Sequence, residues 1–313
     1  MFGRKSNELQ VTGEPLDELA AALAATSLET ERVGDSLIVT QPGFTTRVDV
    51  VRPASRGSDG SQVKFVLQIR SELSVEMASL IEAPEAAAAM NSMATLGALT
   101  HDDGSVFVGS RLTVYEGEKA WNVQFPLVLH SVLEGANSML GAVSCVVSGN
   151  RFKRPASAWR KRDFELVRTY LSRVCYCETS EFELTATFGL PQRAVDAASE
   201  DLDSALWELK SNQPHPEAGG GLLCLLQLPH EISDAARLNR LIAQLNQMEM
   251  VPDDRPPHFG AWCRGQLGNN PAYVSFLSNS LHSVPGIAVN MSFWAAGRAQ
   301  WAKGVLSTMG VRG

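Results

Sequence analysis

The chain has 313 residues, of which 44% are hydrophobic and 19% charged, with a formal net charge of −7. That length exceeds what one hydrophobic core usually organises, and the apolar content excludes an intrinsically disordered chain. An acidic whole argues against nucleic acid as the main partner.

Residues 1–150 hold 10 Lys and Arg against 18 Asp and Glu, whereas residues 151–313 hold 17 against 16. The acidity belongs to the first half, and two domains are expected, 1–150 and 151–313, the second entered through a basic linker at 151–160. The five cysteines, at 145, 175, 177, 224 and 263, include no CxxC pair. Reduced thiols, no metal and no cofactor are expected. "CYC" places Cys175 and Cys177 on one face of a strand, but two ligands do not make a metal site. The start, "MFGRKSNELQVTGEPLDE", turns polar and acidic before an apolar signal region develops, and no run approaches a membrane span. A soluble cytoplasmic protein, most simply a bacterial one, follows as an expectation.

In chain order, "EPLDELAAALAATS" predicts a helix, with Pro15 in its first turn and Leu16, Leu19 and Leu23 on one face. Three β-rich runs follow at 32–41, 44–53 and 62–71, separated by turn residues. Strong helix formers after Pro84 predict a helix over 84–97, edged by Met90, Met93 and Leu96. A turn and two short strands are expected over 101–120, then a helix over 121–142 in which Pro126 lies in the first turn or kinks it. The second half predicts a helix over 157–174, capped by Ser157, a strand over 181–190 and a helix over 199–213. The earlier ending then recurs: a strand at 222–229, a helix at 233–250, strands at 258–265 and 272–279, and a last helix at 285–306. This echo of element order suggests a degenerate duplication. The fold class expected is α+β, two domains each with an antiparallel sheet packed against helices, the first in the order α-β-β-β-α-β-β-α.

Catalytic motifs are missing. There is no phosphate loop, "HE" at 230–231 lacks the second His of a zinc helix, and no GxSxG elbow occurs. "HDDG" at 101–104 is a turn signal that also gathers polar side chains. A hydrolase assembled from distant segments would use His101, Asp102 and Asp103, or His130. The last predicted helix carries Trp294, Arg298 and Trp301 at spacings that let a guanidinium lie between two indoles. That pattern reads as a packing seam or as a binding ridge. "RFKRPASAWRKR" at 151–162 packs six positive charges where a domain boundary is expected. Arg160, Lys161 and Arg162 would fall in a first helical turn, where cations are disfavoured. They are expected to contact the acidic first half and to fix the two domains against each other.

The element order over 15–142, with its ending "SRLTVYEGEKAWNVQFPLVLHSVLEGANSML", resembles the type III secretion chaperone-like fold, including its YbjN-like branch. The second half is similar only over 221–303. The resemblance implies an acidic, non-enzymatic protein without a cofactor that binds another protein or peptide segment, and that pairs as a homodimer or between tandem domains. Met90, Met93, Trp294, Arg298 and Trp301 are the candidate partner-binding residues, and neither membrane nor nucleic acid is expected as a partner. The alternative is a hydrolase or a small-ligand-binding protein.

Overall fold

The computed structural model describes residues 15–26, 28–41, 44–51, 63–73, 84–102, 105–118, 121–144, 156–190, 204–213, 215, 218–253, 255–265 and 268–310. Among the described residues the architecture is α+β, two antiparallel six-stranded sheets with six helices, one sheet in each half. The first half runs α1 (Pro15–Leu23), β1 (Glu29–Val33), β2 (Ser36–Gln41), β3 (Phe44–Val51), β4 (Val63–Glu72), α2 (Pro84–Asn91), β5 (Ala98–Asp102), β6 (Ser105–Tyr115) and α3 (Trp121–Ser144). The second runs α4 (Lys161–Leu171), β7 (Tyr176–Thr179), β8 (Glu183–Gly189), β9 (Ser204–Ser211), β10 (Gly221–Gln227), α5 (Ala235–Glu249), β11 (Ala261–Arg264), β12 (Pro271–Ser278) and α6 (Ile287–Thr308).

Three local features depart from the sequence pattern. The run 32–41 is not one strand; β1 and β2 form a hairpin that turns at Gly34, whose φ of +60° suits glycine. The predicted helix over 199–213 is strand β9 within Ser204–Ser211. There Ala205, Trp207 and Leu209 are buried and the residues between them are half-exposed, so the period is two, and burial overrides the helix propensity of Ala, Leu, Glu and Lys. The helix predicted to 97 ends at Asn91, because the Asn91 side chain turns to bind the next strand. Ser157 does not cap α4 either: it is buried and accepts from the Trp159 N–H, while Asp163 accepts the Arg160 N–H at 2.8 Å.

The halves repeat one another in detail. Their sheets have the orders β1-β2-β3-β4-β6-β5 and β7-β8-β9-β10-β12-β11. In the first, Ala98 of β5 pairs with Gly109 of β6; in the second, Ala261 of β11 pairs with Val274 of β12. From that register the local contacts match. Asn91 binds both the N–H and the C=O of Leu99, and Asn246 does the same to Trp262. Ser110 Oγ donates to the Leu96 carbonyl, and Ser275 Oγ to the Phe259 carbonyl. Gly97 and Gly260 occupy the same place, and a Cβ on Gly260 would lie 2.2 Å from Ser275 Oγ and 2.3 Å from the Val274 carbonyl.

The halves also meet reciprocally. Helix α2 packs on α5, α2 on β11, α5 on β5, and β5 against β11. Phe276 N–H donates to the Thr95 carbonyl at 3.1 Å, and at the equivalent place Arg111 N–H donates to the His258 carbonyl at 3.3 Å. Buried apolar side chains of both halves join in one continuous core.

Because Asn91 and Asn246 do the same job, Asn91→Ala and Asn246→Ala are expected to destabilise to similar extents, about 1–3 kcal/mol each, by orphaning buried backbone groups. Urea unfolding of the two variants checks this, and a cost confined to one of them would break the equivalence.

Candidate functional site

The repeat is broken in the connection from the middle helix of each half to the strand that follows it. Between Asn91 and Gly97 lie five residues (92–96), but between Asn246 and Gly260 lie thirteen (247–259). The extra chain forms a strap over the face of the first sheet that α1 and α3 leave open. Arg111 of β6, wholly buried, holds it. Its guanidinium donates to the carbonyls of Glu249 (2.8 Å), Asp253 (3.3 Å), Arg255 (3.2 Å) and Pro256 (2.9 Å), and to Thr113 Oγ1 (3.1 Å). Gln68 Nε2 adds a bond to the Met250 carbonyl at 2.7 Å.

Beneath the strap, Glu249 and Arg298 form a buried ion pair at 2.6 Å, and Trp262 Nε1 donates to Glu249 at 3.2 Å. Burial would raise the Glu249 carboxyl, but Arg298 above all, with Arg111, holds it at about 2. Burial, reinforced by Arg298 and Arg111 and opposed by Glu249, pushes His258 down to about 3. His258 is therefore neutral at pH 7, with Nδ1 3.1 Å from the Tyr273 hydroxyl.

These contacts reassign the residues predicted to bind a partner. Arg298 is 3% exposed and lies over the Tyr273 ring at 4.1 Å, not between two indoles; the Trp294–Arg298–Trp301 pattern is a packing seam. Trp294 meets Phe259 edge-on at 5.8 Å, and Trp301 stacks under Arg255 at 4.7 Å. Met90 is buried in α2, and past the end of that helix the Met93 carbonyl lies 3.0 Å from His215 Nε2 in the other half.

Arg160, Lys161 and Arg162 are exposed. The described bonds of Arg160 go to the Ser157 and Trp159 carbonyls, and Arg162 lies 4.0 Å from Asp163. Among the described residues their contacts stay within the second half, where Asp163 sits beside them and offsets their charge at the helix start. Of the predicted linker, 151–155 lies outside the described residues, and 156–160 is tied to the second half: Trp159 is buried, and Asn279 and Asn212 bind its backbone.

Among the alternative candidates, His101 is half-buried on β5, whereas His130 is exposed on α3, 3.5 Å from Glu134. Burial raises the Glu134 carboxyl. Asp103 and the Asp102 side chain lie outside the described residues. Cys175 and Cys177 do share a side, with their sulfurs 3.5 Å apart. Among the described residues, no three His, Cys, Asp or Glu gather as metal ligands, and no helix is long and apolar enough to cross a membrane.

Where the strap meets the open sheet face, a cleft of about 330 Å³ remains. Gln68 and Arg70 of β4, Thr100 of β5 and Phe107 of β6 form one wall; Gln247, Met248, Met250, Val251 and Pro252 form the other. Glycine at 109 makes the fit possible, since a Cβ there would lie 2.8 Å from both Met250 Sδ and the Phe107 ring. Val251 stands at the cleft 51% exposed. Through Thr100 and Gln247 the cleft adjoins a second pocket of about 90 Å³ lined by Asn91, Leu99 and His101. At the corresponding place in the other half, Leu99 is replaced by Trp262 and His101 by Arg264, which Asn239 engages at 2.8 Å.

No family model matches this chain, and no curated protein matches it. A solved structure aligned to it, the crystal structure of DynU16 from the dynemicin biosynthetic locus, spans 96% of both chains at 10% identity with a TM-score of 0.12, too low to carry an argument.

Glu249→Gln is expected to cost about 3–5 kcal/mol of stability, since it leaves Arg298 buried without its counter-ion. The pH dependence follows from both groups. Glu249 stabilises fully above its ordinary 4.5 and ceases to do so as pH falls toward 2. His258 is neutral when folded but protonates near 6.5 when unfolded, so its burial penalises the fold increasingly as pH drops from 6.5 toward 3. Stability should decline below pH 6.5 and more steeply below 4.5, with His258→Gln flattening the upper limb in urea titrations across that range.

Proposed function

We propose that the chain is a non-enzymatic, chaperone-like adaptor that binds a segment of another polypeptide in the strap cleft. The observation that carries this reading is the make-up of the cleft. Two methionines, a phenylalanine, a proline and a half-exposed valine line it together with an arginine, a threonine and two glutamines. Unbranched methionines repack against varied apolar side chains at low cost, which suits a segment binder. A likeness to the type III secretion chaperone-like and YbjN-like proteins is part of the proposal. It is supported by the helix–sheet–helix order of the first half, and by the pairing of α2 with α5 as two subunits of a dimer would pair. We place such a protein in the cytoplasm.

The photoreactive residue p-benzoylphenylalanine at Val251 is expected to crosslink a defined peptide segment in the native host. Placed at exposed Leu166 on α4, it should not. Met250→Glu in the Val251 variant should abolish the product, and equal crosslinking at both sites would remove the cleft from the proposal.

A further inference from the structure

A pair of thiols lies at the outer edge of the second sheet. Strand β7 ends that sheet on the side opposite β11, the strand that meets the first half. Side chains two apart in a strand share a face, so Cys175 and Cys177 point the same way, and their sulfurs lie 3.5 Å apart. Thr179, next on that face, bonds Glu165 of α4 at 3.0 Å. Both cysteines are free and half-buried between the exposed Val174 and Tyr176, within reach of a small reagent. Cys224 and Cys263, by contrast, are sealed in the core.

A disulfide needs its sulfurs about 2.05 Å apart and its Cα atoms within about 6.8 Å. Two residues of strand span roughly 6.4–6.8 Å, which meets the second condition. The sulfurs must then close by about 1.5 Å from their present contact. Cys175 has the freedom to do so, because it precedes β7, whose ladder with β8 begins at Tyr176 and Thr187. The two thiols also differ in acidity. Burial, then the hydrogen bond and charge of Cys175, push Cys177 up to about 12, with Arg168 opposing. Burial raises Cys175 as well, but the Cys177 S–H counteracts it. Cys175 is therefore the first to ionise. Once its sulfur is bonded elsewhere, the part of the Cys177 shift that Cys175 caused disappears.

We propose that Cys175 and Cys177 form a dithiol site that a low-molecular-weight disulfide of the glutathione class oxidises to an internal disulfide. The Cys175 thiolate attacks one sulfur of the small disulfide, whose S–S bond breaks, and one small thiol leaves with the Cys175 proton. The Cys177 thiolate then attacks the Cys175 sulfur of the mixed disulfide, and the second small thiol leaves with the Cys177 proton. The protein gives up two electrons and two protons, and the small disulfide becomes two thiols. The closed loop contains a single intervening residue, Tyr176, and so carries strain. Strained, exposed disulfides are the readily reduced ones, so the bond reverses when small thiols predominate. That is the behaviour of a redox-responsive pair rather than of a structural crosslink.

The test uses the full chain and oxidised glutathione. Trypsin cuts after Arg173 and Arg193 and releases 174–193, which holds both cysteines and none of the others. After oxidation, blocking of free thiols with N-ethylmaleimide under denaturing conditions and digestion without reductant, this peptide should carry neither maleimide nor glutathione and be lighter by two hydrogens. Dithiothreitol should restore both maleimide sites. The oxidation should speed up roughly tenfold from pH 7 to pH 8.5, because the attacking species is the thiolate. Cys177→Ser should stop at the mixed disulfide, with glutathione held on Cys175. If both cysteines of the native chain still take maleimide after oxidation, or if the native peptide retains glutathione as Cys177→Ser does, the disulfide site is overturned.

Discussion

One guanidinium organises the region where the two halves meet. Arg111 is fully buried, and a charge so placed is tolerated only when its donors are satisfied and its field is balanced. Four backbone carbonyls and a hydroxyl supply the first condition; Asp253 at 3.4 Å and nearby Glu249 supply the second. Those carbonyls all belong to the strap or to the helix end that leads into it. A residue in β6 thus dictates the path of a segment more than a hundred positions later, and that path forms a wall of the cleft. Lysine could not substitute, because its three donors radiate from one point and cannot span carbonyls from Glu249 to Pro256.

The internal repeat explains why such a device is needed on one side only. Asn91 and Asn246 pin equivalent strands, and Ser110 and Ser275 tie equivalent turns, so each half carries the same local frame. In the first half the connection is short and bends directly from α2 into β5. In the second it is eight residues longer and must lie on something. The open face of the first sheet receives it, and Arg111 occupies the position that Phe276 holds in the other half. Phe276 instead packs on His215 at 4.7 Å. A site arises where two similar halves stop being alike, and the small residues left there, Gly109 and Thr100, keep it open.

Much of this frame was legible in the sequence, because helix and strand periodicities depend on burial within about ten residues. The β-branched runs, the Ala-rich α2 and the closing strand–helix–strand–strand–helix order could all be read. The 204–211 strand could not, since Ala, Leu, Glu and Lys dominate it and its period-two burial depends on α6 supplying Ser292 to the Trp207 indole at 2.9 Å. The spacing of Trp294, Arg298 and Trp301 correctly placed them along one helix. Nothing local says that Arg298 turns toward Glu249, forty-nine positions earlier. Two signals were present but unread. A lone arginine interrupts the apolar strand "VFVGSRLTVY", and the fragment "GA" follows an Asn at both 91 and 246, hidden by the unequal spacing.

The charge imbalance between the halves pointed to long-range attraction through Arg160, Lys161 and Arg162, and the geometry argues for a different kind of joint. Exposed charges act weakly beyond a Debye length of about 8 Å at physiological salt, and Arg162, 81% exposed, is in that regime. The joint instead uses directional bonds inside the protein: a guanidinium on carbonyls, reciprocal backbone bridges, and the Glu249–Arg298 pair behind them. Such bonds are short-ranged and poorly screened, so they set position to within a bond length where net charge would set only proximity. A cleft whose walls come from opposite halves needs that accuracy, because a shift of about 1 Å between Phe107 and Met250 would break the packing that holds the walls together.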